Sequence, residues 1–73
     1  MNIITDSQLQ ILRLVDTHGP LSFEEIARST VRPWRAVNED IRYLQRKGFV
    51  LIFRDDRVRL GLLARKAVER YRA

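Results

Sequence analysis

From Thr5 onward, apolar positions recur with a helical period: Leu9, Leu12 and Val15, with Ile11 and Leu14 widening the face. Thr5 and Asp6 are both good N-caps, and Gln8 stands three residues after Thr5, the spacing of a capping box. Thr17-His18-Gly19-Pro20 closes the segment. Histidine suits the last helical turn, glycine the left-handed position beyond it, and proline blocks continuation. A helix over about 6–18 is predicted. After a short extended link at 20–22, Ser22-Phe23-Glu24-Glu25 makes a second capping box. It opens a helix over about 23–29 that turns Phe23, Ile26 and Ala27 inward.

A third helix is predicted over 33–47. Pro33 suits its first position, where a missing N–H costs nothing. Trp34, Val37, Ile41 and Leu44 form one apolar stripe, and Gly48 stops the helix. The pattern then changes period. Phe49-Val50-Leu51-Ile52-Phe53 is aromatic and β-branched and reads as a strand. Arg54-Asp55-Asp56-Arg57 reads as a turn and Val58-Arg59-Leu60 as the returning strand, a β-hairpin over about 49–60. Beyond Gly61, Leu63, Ala64, Ala67, Val68 and Tyr71 line one side of a fourth helix over about 62–72.

Composition bounds what such a chain can do. Its 73 residues allow one domain, 1–73, and 45% hydrophobic residues suffice for a core. A chain of this size beginning at Met1 is expected to be a complete small protein. With no cysteine and a single histidine, disulfides, thiolate metal sites and histidine-based catalysis are excluded. No metal or cofactor is expected. The lack of cysteine fits the cytoplasm, and neither a membrane span nor a signal peptide is visible. Missing stability must come from very regular packing or self-association.

The formal net charge of +5 is unevenly spread. Residues 1–27 hold one base and four acids, a net of −3, whereas residues 28–73 hold thirteen bases and five acids, a net of +8. Twelve of the fourteen bases are arginine, the residue suited to planar and phosphate contacts. A one-sided basic surface is the footprint expected of a nucleic-acid binder. Glu24 and Glu25 complement a helix dipole, and Asp55 and Asp56 are turn formers. With no nucleophile–base pair and no glycine-rich phosphate loop, an enzyme is not expected.

Leu21-Ser22-Phe23-Glu24-Glu25-Ile26-Ala27, the stretch from Val37 to Leu44, Arg46-Lys47-Gly48-Phe49-Val50 and the basic hairpin together resemble a winged helix-turn-helix domain. The pattern is similar to small bacterial and archaeal repressors of the MarR and ArsR type. The resemblance implies an α+β, mostly α fold: a three-helix core, a two-stranded β-hairpin wing and an additional C-terminal helix. It also implies a transcriptional regulator that binds double-stranded DNA. Two stretches depart from the family pattern. The turn Thr30-Val31-Arg32-Pro33 is polar at its ends, with Val31 expected to turn inward. The recognition helix opens on Pro33-Trp34-Arg35 in place of a Ser/Thr-rich start.

The residues themselves support DNA readout. Arg35, Asn38, Glu39 and Arg42 fall on the outer face of the third helix. Arginine can bond guanine and asparagine adenine bidentately, while Glu39 can accept from cytosine or simply pair with Arg35 or Arg42. Arg32, Arg46 and Lys47 flank this face as backbone-contact candidates, and Arg54, Arg57 and Arg59 are set to reach phosphates or a minor groove. Trp34 is expected on the core stripe, with a place beside the DNA as the alternative. Leu63, Ala67, Val68 and Tyr71 are candidates for a homodimer interface, or for packing back on the first helix. A protein-interaction module and a non-specific architectural nucleic-acid binder are the competing functions.

Overall fold

The computed structural model describes residues 4–70. Tyr71, expected on the last apolar stripe, lies outside them. The element order is α1 (Asp6–His18), β1 (Leu21–Ser22), α2 (Phe23–Thr30), α3 (Trp34–Arg46), β2 (Val50–Ile52), β3 (Arg57–Leu60) and α4 (Leu62–Arg70). Both capping boxes are present. Thr5 Oγ1 accepts from the Gln8 N–H at 3.2 Å, and Gln8 Oε1 accepts from the Thr5 N–H at 3.0 Å. Ser22 Oγ accepts from the Glu25 N–H at 3.1 Å, and Glu25 Oε1 accepts from the Ser22 N–H at 2.8 Å.

The sheet has three strands where the sequence suggested two. The link at 21–22 pairs antiparallel with β3, Leu21 opposite Val58 and Ser22 opposite Arg57. The order is therefore β1-β3-β2, with Val50 opposite Leu60 and Ile52 opposite Val58 in the hairpin. Two residues are too few to show a strand period, so β1 leaves no local signal. The first hairpin strand is shorter than expected, whereas the returning strand starts one residue earlier, at Arg57. The Phe49 N–H is taken by the Leu44 carbonyl at 2.8 Å, so Phe49 closes the turn that follows α3. Phe53 belongs to the turn, its carbonyl accepting from the Asp56 N–H at 3.0 Å.

The connection between α2 and α3 departs from expectation twice. Val31 does not turn inward: it is 89% exposed and sits in the left-handed region at φ 53°. Thr30 takes the inward position, its hydroxyl donating to the Ile26 carbonyl at 2.9 Å and so needing no outside partner. Pro33 is the N-cap of α3, not its first helical residue. Its ψ of 141° is extended, while its carbonyl already accepts from the Val37 N–H at 3.1 Å.

Ile11, Leu12 and Val15 of α1, Ile26 of α2, Val37, Ile41 and Leu44 of α3, and Val50 and Val58 of the sheet form one core with Ala64 and Val68 of α4. Helix α4 thus packs back on α1. Val68 is committed to the protein's own core, which removes it from the surface available to a second copy. Leu62 and Leu63 remain exposed at the start of α4.

Candidate nucleic-acid interface

Helix α3 is held by three side chains with no exposed surface, Val37, Ile41 and Leu44. The remainder of the helix follows from that anchoring. Arg35, Glu39, Arg42 and Arg46 are exposed on the opposite side, and Asn38 is half-buried beside them. Glu39 forms no ion pair with Arg35 or Arg42 among the described residues, so its carboxylate stays open to an outside donor. Arg42 lies over the Phe23 ring, its guanidinium carbon 5.8 Å from the centroid. That contact restrains the arginine without consuming its hydrogen-bond donors.

Trp34 is not a core residue. It is 54% exposed, and its ring meets Phe23 at 6.5 Å between centroids and a 32° tilt. At the first helical residue, it packs on Phe23 at the start of α2. A groove of about 390 Å³ opens there, lined by Ser22, Phe23, Glu24, Trp34, Asn38, Arg42, Ile52 and Asp56.

Arg32 departs from the expected interface. Its Nη1 lies 2.8 Å from Asp40 Oδ2, with side chains only 24% and 16% exposed. Asp40 also accepts from Ser7 Oγ and Gln8 Nε2, each at 3.2 Å. One carboxylate therefore joins α1, the turn and α3. Sequence reasoning passed over Asp40; an acid beside the Val37–Ile41 stripe was the available signal.

The wing arginines are not equivalent. Arg57 Nη1 donates to the Pro20 carbonyl at 3.2 Å and to Glu25 Oε1 at 3.4 Å. Arg59 grips Asp55 with both nitrogens, at 3.0 and 2.8 Å, and stacks 4.6 Å over the Phe53 ring. Arg54 is exposed at the tip with no ion pair among the described residues. The Arg59 hydrogen bonds, aided by the Arg57 N–H, hold the Asp55 carboxyl far below the usual carboxylate range. Asp55 in turn raises Arg59. Glu25 is lowered, chiefly by the backbone N–H and then the hydroxyl of Ser22, with Arg57 adding a smaller charge effect.

Among the described residues no cluster of three or more histidines, aspartates or glutamates could hold a metal, and no helix is long and apolar enough to cross a membrane.

The protein-family model described as HVO_A0114 matches residues 3–67. Among solved structures, a MarR family protein from Bacillus stearothermophilus is similar at a TM-score of 0.88 and 22% identity, over 94% of this chain and 51% of that one. MepR, a transcription regulator of the Staphylococcus aureus multidrug efflux pump MepA, is similar at 0.86 and 26%, over 92% and 53%. The Mycobacterium tuberculosis MarR family protein Rv2887, solved in complex with DNA, is similar at 0.82 and 27%, over 90% and 51%. The chain thus spans about half the length of these proteins. No curated relative matches it by sequence. The fold is the winged helix of MarR-family regulators.

Proposed function

The chain belongs to the HVO_A0114 family, and from its winged-helix fold we propose that it is a DNA-binding transcriptional regulator, a repressor that reads duplex DNA with α3 in the major groove. The observation that carries this reading is the division of α3. Three fully buried residues fix the helix, while Arg35, Glu39, Arg42 and Arg46 project from its free side. A helix so held fits the major groove, where base edges are distinguishable. Similarity to a protein solved with DNA supports the same reading.

Within it, Arg35, Asn38, Glu39 and Arg42 contact bases, and Arg46, Lys47 and Arg54 contact phosphates. Arg57 and Arg59 serve first to shape the wing, since both are bonded to acids of the domain. The protein acts in the cytoplasm, needs no cofactor, performs no catalysis and works as a homodimer. Two copies of α3 one DNA turn apart match a palindromic site.

Selection of bound sequences from a random duplex pool, at two salt concentrations, tests the proposal. A palindromic consensus is expected, with a log–log salt slope of about −5 if six phosphates are neutralised per dimer. Arg35→Ala and Arg42→Ala should each cost about 1–3 kcal/mol of affinity for that site. Absence of enrichment overturns the reading and favours a protein-docking module. Binding with the salt slope but without sequence preference indicates an architectural binder.

A further inference from the structure

Trp34, the sole tryptophan, is a large apolar side chain left more than half in water at the entrance of α3. One exposed apolar side chain is ordinary on a protein surface, but Trp34 meets Phe23 ring to ring on the lining of a groove. Its neighbours narrow the contact. Trp34, Asn38 and Arg42 stand at i, i+4 and i+8, one row spanning roughly 12 Å along the helix. All three line the same groove, with Phe23 behind Trp34.

The charges of the groove decide what enters it. Two acids, Glu24 and Asp56, outnumber the one cation on its lining, Arg42, and disfavour a phosphate, whereas a base edge carries no charge. Asparagine and arginine in the row suit hydrogen-bonding edges, whereas the Trp34 and Phe23 rings offer apolar faces with one indole N–H between them. In the major groove the one apolar feature of a base edge is the 5-methyl group of thymine. On the premise that α3 reads DNA, we propose that the Trp34–Phe23 pair is a specificity element that covers a thymine methyl, next to the bases met by Asn38 and Arg42. The departure at the start of the recognition helix, where Pro33-Trp34-Arg35 replaces small hydroxyl residues, is then a change of base preference.

The test uses the full chain and the duplex recovered by the selection above, with each thymine replaced in turn by deoxyuridine, which removes the methyl and keeps the pairing. At one thymine per half-site, affinity should fall about three- to five-fold, the value of one buried methyl. The loss should be the same at both salt concentrations, unlike a phosphate contact. Trp34→Ala should abolish the difference between thymine and uridine, and Trp34→Phe should retain it. Circular dichroism verifies that both variants fold, and the uridine scan of the unaltered protein needs no variant. A flat scan, a consensus without thymine, or an equal loss in Trp34→Ala overturns the proposal while leaving the DNA reading intact. Failure to recover any duplex overturns both.

Discussion

Asp40 holds the Arg32 guanidinium at 2.8 Å and so ties the α2–α3 turn to the flank of α3. The same carboxylate receives Ser7 and Gln8 from α1. Because both partners are largely withdrawn from water, removing one strands the other. Asp40→Ala should lower stability by about 1–3 kcal/mol in urea denaturation. Arg32→Ala should also destabilise, and the double variant should lose less than the two single losses added together. Strict additivity would show that the pair is not coupled.

Val31 holds a left-handed conformation that costs a non-glycine residue about 1–2 kcal/mol. With 89% of its surface exposed, it has little packing to lose. Val31→Gly relieves that cost while adding up to about 1 kcal/mol of unfolded-chain entropy. The net expectation is a gain of up to about 1 kcal/mol, seen as a raised Tm. A lowered Tm would mean that the left-handed backbone is not strained by valine.

Gly61 is required by space. A Cβ there would lie 2.5 Å from the Gly48 carbonyl oxygen, closer than atoms can pack. Gly61→Ala should cost about 1–3 kcal/mol, as overpacking does. Gly19 is the comparison: it lies at φ 81°, ψ −159°, outside the left-handed helical region expected of it, and a Cβ there meets nothing within 4 Å, so Gly19→Ala should cost only that backbone conformation, about 1–3 kcal/mol. Thermal melts against the parent measure each loss. A Gly61→Ala protein melting like the parent would remove the clash.

Acid should weaken the Asp55–Arg59 pair within the hairpin and the Glu25 cap of α2. Glu25 and Asp55 both titrate below their ordinary values of 4.5 and 3.8. A lowered folded pKa means the unfolded chain takes up protons first. The stabilisation is therefore complete above the ordinary carboxylate values and is lost as pH falls through the folded ones. Stability measured from pH 6 down to pH 2 should decline, and Glu25→Gln and Asp55→Asn should each flatten the decline. An unchanged slope in both variants would assign the acid sensitivity elsewhere.

The wing arginines should separate in DNA binding. Arg54, which has no ion pair among the described residues, should on mutation to alanine weaken binding uniformly across sequences and reduce the salt slope by about one. Arg59→Ala instead frees Asp55 and uncovers Phe53, so it should disturb the hairpin itself. Filter or fluorescence titrations at several salt concentrations, with circular dichroism alongside, distinguish them. Equal slopes for Arg54→Ala and the parent would take Arg54 off the interface.

Much of the fold was legible because its signals are local. The capping boxes at Thr5 and Ser22 each close between residues three apart, and the Val37–Ile41–Leu44 stripe repeats within one helix. The site was legible only in outline. Periodicity placed Arg35, Asn38, Glu39 and Arg42 on the free side of α3, but it also put Trp34 on the core stripe. At the end of a helix, a residue on the inner stripe is buried only if something covers it, and that depends on where α2 begins in space.

The amino-acid sequence by itself determined the helices, the hairpin, the basic second half and the winged-helix character, because backbone hydrogen bonds and side-chain periods act over a few residues. Tertiary structure alone decided the third strand, the Arg32–Asp40 junction, the exposure of Val31 and Trp34, and which wing arginines pair with acids. Ser22 meets Arg57, Glu25 meets Arg57 and Gln8 meets Asp40 across more than thirty residues of chain. Those contacts exist only because the shared core brings α1, α2, α3 and the sheet together, and no local pattern records which charged groups meet across it.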